Sequence, residues 1–261
     1  MTDGYDSEFL ATPLPLPRPS GDVRDLAYPR FTVLLAPERR FAAVTGVNID
    51  GSQLREVPRT GDWRLDQRID PDEQAGPEVY SRNDLDRGHL VRRRDPGWGD
   101  PEEARDATEA TFFYTNAAPQ VAGFNQSKEL WLGLEDHVLA YAETTDQRIS
   151  VFTAPVLGDA DPPYRGIRVP LQFWKIAAWH APAGLAAAGF VLDQTDLVDT
   201  SQGVLAVPPL GAFRTFQVPI GDIAGLTGID LGPLPAADVL DQAPARPEGW
   251  RTLTRAADVI V

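Results

Sequence analysis

The sequence predicts a single α+β domain whose central sheet is mixed or antiparallel and is flanked by helices. Three observations support this class: two strand-like segments joined by a short turn near the N-terminus, one long amphipathic helix in the middle, and several strand-like segments after it. The 261 residues, 43% of them hydrophobic, suffice to bury the core of one such domain. No run approaches the roughly 18 apolar residues that a membrane span needs, so we expect no membrane partner.

The N-terminal half contains the predicted hairpin. Residues 1–20, rich in proline and polar residues, are predicted to form an extended arm, either laid on the surface or loose, and residues 21–261 to form the domain. The apolar segments 31–36 and 41–49 flank a Pro-Glu-Arg-Arg turn, which is typical of a β-hairpin. The charged segment 51–84 is broken by proline and glycine and predicts little regular structure.

The later elements follow from periodicity. The segment 111–115 is predicted to be a short buried strand, and apolar residues recur every three to four positions in 125–142, which predicts a helix. The other predicted elements are strands at 149–153, 172–179, 189–192 and 213–219 and a short helix at 220–227.

The composition excludes several kinds of site. The chain has no cysteine, so a disulfide scaffold, a zinc-thiolate site and a cysteine nucleophile are all excluded. No serine lies in a nucleophile elbow, and neither a Walker A loop nor a dinucleotide-binding glycine fingerprint is present.

The charge pattern is uneven. The net charge of −14 disfavours nucleic acid as a partner, because binding to it needs cationic surface. However, all basic residues except Lys128 and Lys175 are arginines, and arginine binds phosphate through a planar fork. Five of them lie within thirteen positions: Arg82, Arg87, Arg92, Arg93 and Arg94. The triplet at 92–94 is either a track for phosphates or a solvated face.

The motif Asp86-Arg87-Gly88-His89 carries the strongest chemical signal. A neutral imidazole can take a proton from water, and a neighbouring guanidinium can stabilise the charge on a phosphate. Gly88 permits close approach of the backbone to a ligand. The alternative is a surface loop in which His89 has no chemical role.

A second motif runs from Asn116 through Gln120 to Asn125. Amide side chains that cluster at the end of an apolar segment are expected to bind another group through hydrogen bonds. Asn125 lies at the predicted helix start, where it either caps the helix or offers an oxygen ligand to Mg²⁺, which takes few protein ligands.

Together these motifs resemble the DNA/RNA non-specific endonuclease family, which includes secreted bacterial nucleases and mitochondrial endonuclease G. The resemblance rests on Asp86-Arg87-Gly88-His89, on Asn116 to Gln120, and on Asn125 with the later Trp131-to-Glu135 block. It implies a ββα-metal (His-Me finger) motif within the α+β fold. Weaker similarities include Trp63 upstream and extend over most of the chain.

The resemblance implies the role of each residue. His89 would be the general base, and Asn125 would bind one Mg²⁺, for which Mn²⁺ or another divalent cation could substitute. Arg87 and an upstream arginine, for which Arg59 is the candidate, would neutralise the scissile phosphate. Further residues beside the substrate would be Asp86, which orients the loop, Asn116 and Gln120, which position substrate or the water shell of the metal, and Arg92 and Arg93, which bind phosphates.

The spacing departs from the family pattern after Asn125. Trp131 follows by six residues where the family has four, and Glu135 follows by ten where the family has eight. If the helix starts at Asn125, Glu129 shares its face; if it starts two residues later, Glu135 returns to the usual geometry. We favour Glu135, because the block around it is intact.

The predicted function is therefore a metal-dependent, sequence-tolerant endonuclease acting on DNA and on RNA through their phosphates. Two alternatives are a catalytically silent relative that only binds nucleic acid or a partner protein, and a metal-dependent phosphodiesterase with a small substrate. A homodimer and an inhibitory or regulatory partner are both compatible with the resemblance. No signal peptide is visible, so a cytoplasmic location is favoured, with leaderless export as the other option.

Overall fold

In this computed structural model, the described residues are 3–59, 61–121, 131–198, 214–242, 249–254 and 258–260, with the backbone alone for 131–137. The strands are β1 (Arg24–Tyr28), β2 (Phe31–Ala36), β3 (Phe41–Asp50), β4 (Leu85–His89), β5 (Ala117–Val121), β6 (Arg148–Val156), β7 (Pro163–Tyr164), β8 (Ile167–Arg168), β9 (Gln172–Ala181), β10 (Gly184–Asp193), β11 (Arg214–Val218) and β12 (Arg251–Leu253). The α-helices are α1 (Pro77–Tyr80), α2 (Pro101–Ala110), α3 (Trp131–Thr144), α4 (Ile220–Thr227) and α5 (Val239–Gln242). Short 3₁₀ turns occupy Gly51–Gln53, Pro71–Glu73, Tyr114–Asn116, Thr195–Leu197 and Leu234–Ala237.

One antiparallel sheet of eight strands forms the centre of the fold, in the order β1-β2-β3-β6-β9-β10-β11-β12. Alternate side chains of each strand enter two separate cores, as the period of two requires. In β9, for example, Phe173 and Trp179 pack in one core, and Trp174 and Ile176 pack in the other. This sheet confirms the predicted α+β class.

The two faces of the sheet are covered by different parts of the chain. The first core contains residues of α1, α3 and the two-stranded ribbon formed by β4 and β5. The second contains residues of the N-terminal arm and of α4. The ribbon, which carries the predicted motifs, therefore lies on the face opposite to the arm. No helix in the described ranges is long and apolar enough to cross a membrane.

The arm is packed against the sheet. Leu14 is fully buried in the second core, and its carbonyl oxygen accepts a hydrogen bond of 2.9 Å from the Tyr5 hydroxyl. Leu16 packs against Gly46 of β3 so closely that a Cβ at position 46 would lie 2.4 Å from the Leu16 Cδ1 atom. Of the two predicted arrangements, the structure shows the arm laid on the surface. The boundary at residue 20 stays a prediction.

Most predicted elements coincide with observed ones. The hairpin of β2 and β3 and the helix α4 lie where they were expected, and β6, β9, β10 and β11 overlap the four later predicted strands. Helix α2 was not predicted, although Asp100 caps it and Pro101 occupies its first position, both of which are start signals.

One predicted strand is wrong. Residues 111–115 form turns, and the strand begins only at Ala117. Phe112 and Tyr114 are buried, as predicted for a strand, but this segment makes only one isolated bridge, between Phe113 and Arg64. Side-chain hydrogen bonds to the local backbone, such as that from the Thr111 hydroxyl to the Thr108 carbonyl, favour turns here.

The arm should contribute to the stability of the domain. Leu14→Ala should lower the free energy of unfolding by about 3 kcal/mol, because it leaves a cavity in a packed core. Leu226→Ala, at an exposed leucine of α4, is the matched control and should cost less than about 0.5 kcal/mol. Urea denaturation measures both, and equal midpoints for the two variants would show that the arm does not stabilise the fold.

Candidate active site

The β4–β5 ribbon carries His89 at its end. The two strands are antiparallel, with His89 opposite Ala117 and Gly88 opposite Ala118. A Cβ at position 88 would lie 2.2 Å from the Gln120 side chain, so only glycine allows that side chain to lie against β4. Gly88 of the motif is thus explained by packing across the ribbon.

Asn116 fixes the chain immediately after His89. Its Oδ1 atom accepts a hydrogen bond of 2.9 Å from the Val91 backbone N–H, and its Nδ2 atom donates to the carbonyl oxygens of Val91 (2.9 Å) and Thr111 (3.0 Å). The side chain is fully buried. Its amide therefore joins two backbone segments, and the predicted role of Asn116 in positioning substrate or the water shell of the metal stays a prediction.

Gln120 is also buried, with 1% of its surface exposed. Its Oε1 atom has no hydrogen-bond partner among the described residues, although a buried acceptor normally has one. The predicted role of Gln120 beside substrate or metal-bound water is compatible with this unused acceptor and stays a prediction.

The imidazole of His89 lies between two aromatic rings. The ring centre of Trp63 is 4.6 Å away, and Phe112 approaches edge-on at 5.0 Å. Although the residue is partly exposed, its Nε2 atom is buried and has no hydrogen-bond partner in the described chain. These two rings thus hold the imidazole in place and leave one ring nitrogen for a ligand or water.

The surroundings keep His89 neutral. Burial and, to a smaller extent, the positive charges of Arg59, Arg93, Arg92 and Arg87 together lower the pKa of the imidazole to about 3. Both causes disfavour the imidazolium. His89 is consequently in its basic form throughout the neutral pH range. A bound phosphate would offset the arginine charges and raise the pKa of His89.

A cleft of about 620 Å³ opens beside His89. Its lining residues are Arg59, Gly61, Asp62, Trp63, Arg87, Phe112 and Tyr114. Arg59 and Arg87 are both exposed, and their guanidinium carbons lie 5.9 Å from the Phe112 ring centre and 5.8 Å from that of Trp63, respectively. The structure therefore brings together three predicted site residues, His89, Arg59 and Arg87.

Arg59 is the upstream arginine that reaches the cleft. The other three are engaged elsewhere: Arg55 donates to the Gly99 carbonyl, Arg64 stacks over Phe113 at 4.2 Å, and Arg68 binds Asp66. This geometry supports the choice of Arg59 among the four arginines of the upstream segment.

A buried carboxylate anchors the segment that carries Arg59 and Trp63. Asp66 accepts hydrogen bonds from the Tyr28 hydroxyl (2.6 Å) and from Arg68 (2.6 Å), and the Thr115 hydroxyl lies 2.6 Å from the same Tyr28 oxygen. Burial raises the pKa of Asp66, but the bonds from Arg68 and Tyr28 outweigh it, so the pKa is lowered overall. The resulting stabilisation is present at neutral pH and is lost as pH falls through that lowered pKa.

The arginine triplet also fastens this segment. The Arg93 guanidinium donates to the Val57 carbonyl at 2.6 Å, and Arg94 forms an ion pair with Glu56 at 2.9 Å. Arg92 and Arg93 both act electrostatically on His89. Part of the triplet thus has a positioning role, and the binding of phosphate by Arg92 and Arg93 stays a prediction. Asp86 is half-buried opposite Gln120 and stays the predicted orienter of the loop.

The predicted metal ligand cannot be located. Asn125 and Glu129 lie outside the described residues, and Glu135 lies in α3, where only the backbone is described. The choice between Glu129 and Glu135 therefore stays a prediction. Among the described residues, no group of three His, Asp or Glu side chains could hold a metal ion.

Two aromatic residues of the site were not predicted as such. Phe112 was assigned to a strand, and Trp63 was noted only for its similarity to the family. The position of Trp63 four residues after Arg59 was the available signal. No local pattern indicates Phe112, because it meets His89 only in the folded chain.

The fold and cleft define a class of protein: an α+β domain that presents a neutral histidine between arginines, suited to phosphodiester chemistry. The model of the DNA/RNA non-specific endonuclease family matches residues 15–238. The chain belongs to this family, which confirms the resemblance deduced from the motifs.

Two similar proteins are informative. The "Uncharacterized protein y4fB" of Sinorhizobium fredii (strain NBRC 101917 / NGR234) is 36% identical over 285 residues, which cover 98% of this chain and 42% of that protein. The chain therefore spans less than half the length of this relative. The crystal structure of the EndoG/EndoGI complex, which concerns the mechanism of EndoG inhibition, aligns with a TM-score of 0.61 and 20% identity, over 80% of this chain and 85% of that chain. It shows the same fold.

The protonation of His89 can be measured directly. Its ring NMR signals, assigned by comparison with His89→Ala, should stay those of neutral imidazole from pH 8 to pH 5, because the pKa is lowered to about 3. An ordinary histidine, with a pKa near 6.5, would be almost fully protonated at pH 5. A titration midpoint near 6.5 would contradict the described environment.

Asn116 should act on stability rather than on substrate affinity. Asn116→Ala removes three hydrogen bonds from buried backbone groups and should lower the free energy of unfolding by about 2–4 kcal/mol. At a temperature where the variant is folded, KM for DNA should change less than about threefold. A large rise in KM with unchanged stability would instead support the predicted role of Asn116 in substrate binding.

Proposed function

We propose that the protein is a metal-dependent endonuclease that hydrolyses phosphodiester bonds of DNA and RNA without sequence specificity. The observation that carries this proposal is the cleft lined by Arg59 and Arg87 beside His89, on whose imidazole both arginines act electrostatically. Membership of the non-specific endonuclease family supports the same chemistry.

His89 acts as the general base. The neutral imidazole takes a proton from the attacking water. A neutral histidine held beside two arginines favours catalysis over a silent relative.

Arg59 and Arg87 bind the scissile phosphate. They approach the cleft from different segments, the upstream loop and β4, so a phosphate between them is contacted on two sides. Their charges stabilise the extra negative charge of the pentacoordinate state. Because these contacts go to phosphate and not to base edges, cleavage is independent of base sequence.

A divalent cation fits the donor chemistry of this cleft. The buried acceptors of His89 and Gln120 that lack a partner among the described residues support a hydrated ion nearby. Asn125 would hold Mg²⁺, or Mn²⁺ in its place, through its amide oxygen. When bound, such an ion supplies Lewis-acid stabilisation of the phosphate and of the leaving 3′ oxygen.

The shape of the cleft favours a polymer over a small phosphodiester. Both arginines are exposed at the surface, so a strand can enter and leave the cleft past them. A pocket for a small substrate would bury most of its ligand.

An inhibitor is a further proposed partner. The EndoG structure that this chain resembles is a complex with EndoGI and concerns EndoG inhibition. A protein that covers the arginine-lined cleft would block substrate entry here by the same physical means. A homodimer stays a prediction.

The test is cleavage of plasmid DNA and of RNA with Mg²⁺ or with a chelator. The wild type should cleave both nucleic acids, and the chelator should abolish the activity. His89→Ala should lower the rate by at least about 10²-fold, because the general base is lost. His180→Ala, at an exposed histidine outside the cleft, is the matched control and should behave as wild type.

Asn125→Ala adds a second arm to the same experiment and should require much higher Mg²⁺ for any cleavage. Unchanged cleavage by His89→Ala would refute the assignment of the base. An unchanged Mg²⁺ dependence of Asn125→Ala would refute the assignment of the metal ligand.

A further inference from the structure

A second cleft, of about 680 Å³, lies away from His89 between the tips of two hairpins. One tip is the turn between β2 and β3, which carries Arg39, and the other is the β7–β8 hairpin, which carries Arg165 and Arg168. We call these three residues the hairpin arginines. Their convergence is notable in a chain with a net charge of −14.

Two of the hairpin arginines are held by neutral groups. Arg165 donates to the carbonyl oxygens of Glu78 (3.1 Å) and Ser81 (2.6 Å), and Arg168 donates to those of Asp159 and Asp161 (both 3.1 Å). Carbonyl oxygens orient a guanidinium without cancelling its charge. These positive charges are thus pre-positioned for an anion.

The third, Arg39, is paired but retains an unused donor. It donates to the Gly158 carbonyl (3.1 Å) and to the Asp161 carboxylate (2.5 Å). Its buried Nε atom has no hydrogen-bond partner among the described residues. Arg39 thus keeps an unused donor beside its ion pair with Asp161.

The backbone of the β7–β8 turn is unusual. Its two central residues, Arg165 and Gly166, have φ values of 44° and 78°, both in the left-handed region. Hairpin turns of this kind strongly favour Asn, Asp or Gly, so an arginine at the first position destabilises the turn. Residues in such strained conformations are enriched at functional sites.

The hairpin arginines lie close to the His89 cleft. Arg165 binds the Ser81 carbonyl, and the Asn83 amide donates to the Tyr164 hydroxyl at 3.0 Å, so the β7–β8 hairpin rests on the segment that leads into β4. The buried Tyr80 hydroxyl is within electrostatic range of both Arg87 of the cleft and Arg40, the neighbour of Arg39. Eight residues separate Ser81 from His89, which is at most about 26 Å of extended chain.

We propose that the hairpin arginines bind the phosphodiester backbone of the nucleic acid several nucleotides from the bond that is cleaved. This inference rests on the proposed nuclease function and adds a second contact on the same polymer. Phosphates of one strand repeat about every 3.4 Å along a duplex, so the second contact falls within about eight base pairs of the cleaved bond.

The test compares a long substrate with a short one. Arg165→Gln/Arg168→Gln should raise KM for a 40-base-pair DNA duplex about fivefold to tenfold with little change in kcat, because two phosphate contacts are lost. For a DNA tetranucleotide, which is too short to reach both sites, kcat/KM should change less than about twofold. The slope of log KM against log salt for the duplex should become less steep by about 1 to 2.

The matched control is Arg18→Gln/Arg24→Gln, which removes the same charge from two exposed arginines in surface ion pairs. This control should change KM for the duplex and kcat/KM for the tetranucleotide less than about twofold. Fluorescence anisotropy of a labelled duplex in the presence of a chelator measures the same contact without cleavage. The affinity for the duplex should weaken only in the hairpin variant. Arg168→Gln alone, with the thermal midpoint measured alongside, should give a smaller loss of the same kind.

Three results would overturn the inference: a hairpin variant equal to its control on the duplex, a parallel loss on both substrates, or failure of both hairpin variants to fold. The first would show that these arginines do not touch nucleic acid, and the other two that they act through the fold. Failure of the proposed function looks different, since the wild type would then cleave neither substrate.

Discussion

The candidate site depends on the pairing of β4 with β5. This ribbon places His89 at the strand end, and it fits together only because Gly88 leaves space for the Gln120 side chain. Asn116 then fixes the chain beyond His89 through three backbone hydrogen bonds. Gly88 and Asn116 thus build the site from within the fold. The position of His89 therefore depends on the stability of the ribbon.

The positive charge of the cleft is local and is compatible with the acidic composition of the chain. The net charge of −14 is spread over the whole sequence, whereas Arg59 and Arg87 act within one cleft beside His89. Their charges, together with burial, keep the imidazole neutral and able to accept a proton. In the proposed mechanism, the charge that binds the phosphate therefore also keeps the base neutral, and binding of the phosphate in turn raises the basicity of His89.

The sequence predicted the fold where periodicity was regular and missed it where tertiary contacts decide. The β2–β3 hairpin and α4 follow from local patterns. Strand β4 was not predicted, because its sequence is mostly polar. His89 and Arg87 were found from the chemistry of their motif, and Arg59 was chosen as the upstream arginine that the family resemblance implied. Phe112 and the Tyr28–Asp66 bond were not, because they join residues that are distant in sequence. Asn116 was recognised as important, but its partners are backbone groups that no motif displays.

His89 and Asn125 are proposed to act on one divalent ion. Paramagnetic Mn²⁺, added in equimolar amount, tests this arrangement through the NMR signals of the His89 ring. These signals should broaden beyond detection in the wild type and stay sharp in Asn125→Ala at the same ion concentration. Sharp His89 signals in a wild-type protein shown by calorimetry to have bound the ion would refute the shared site.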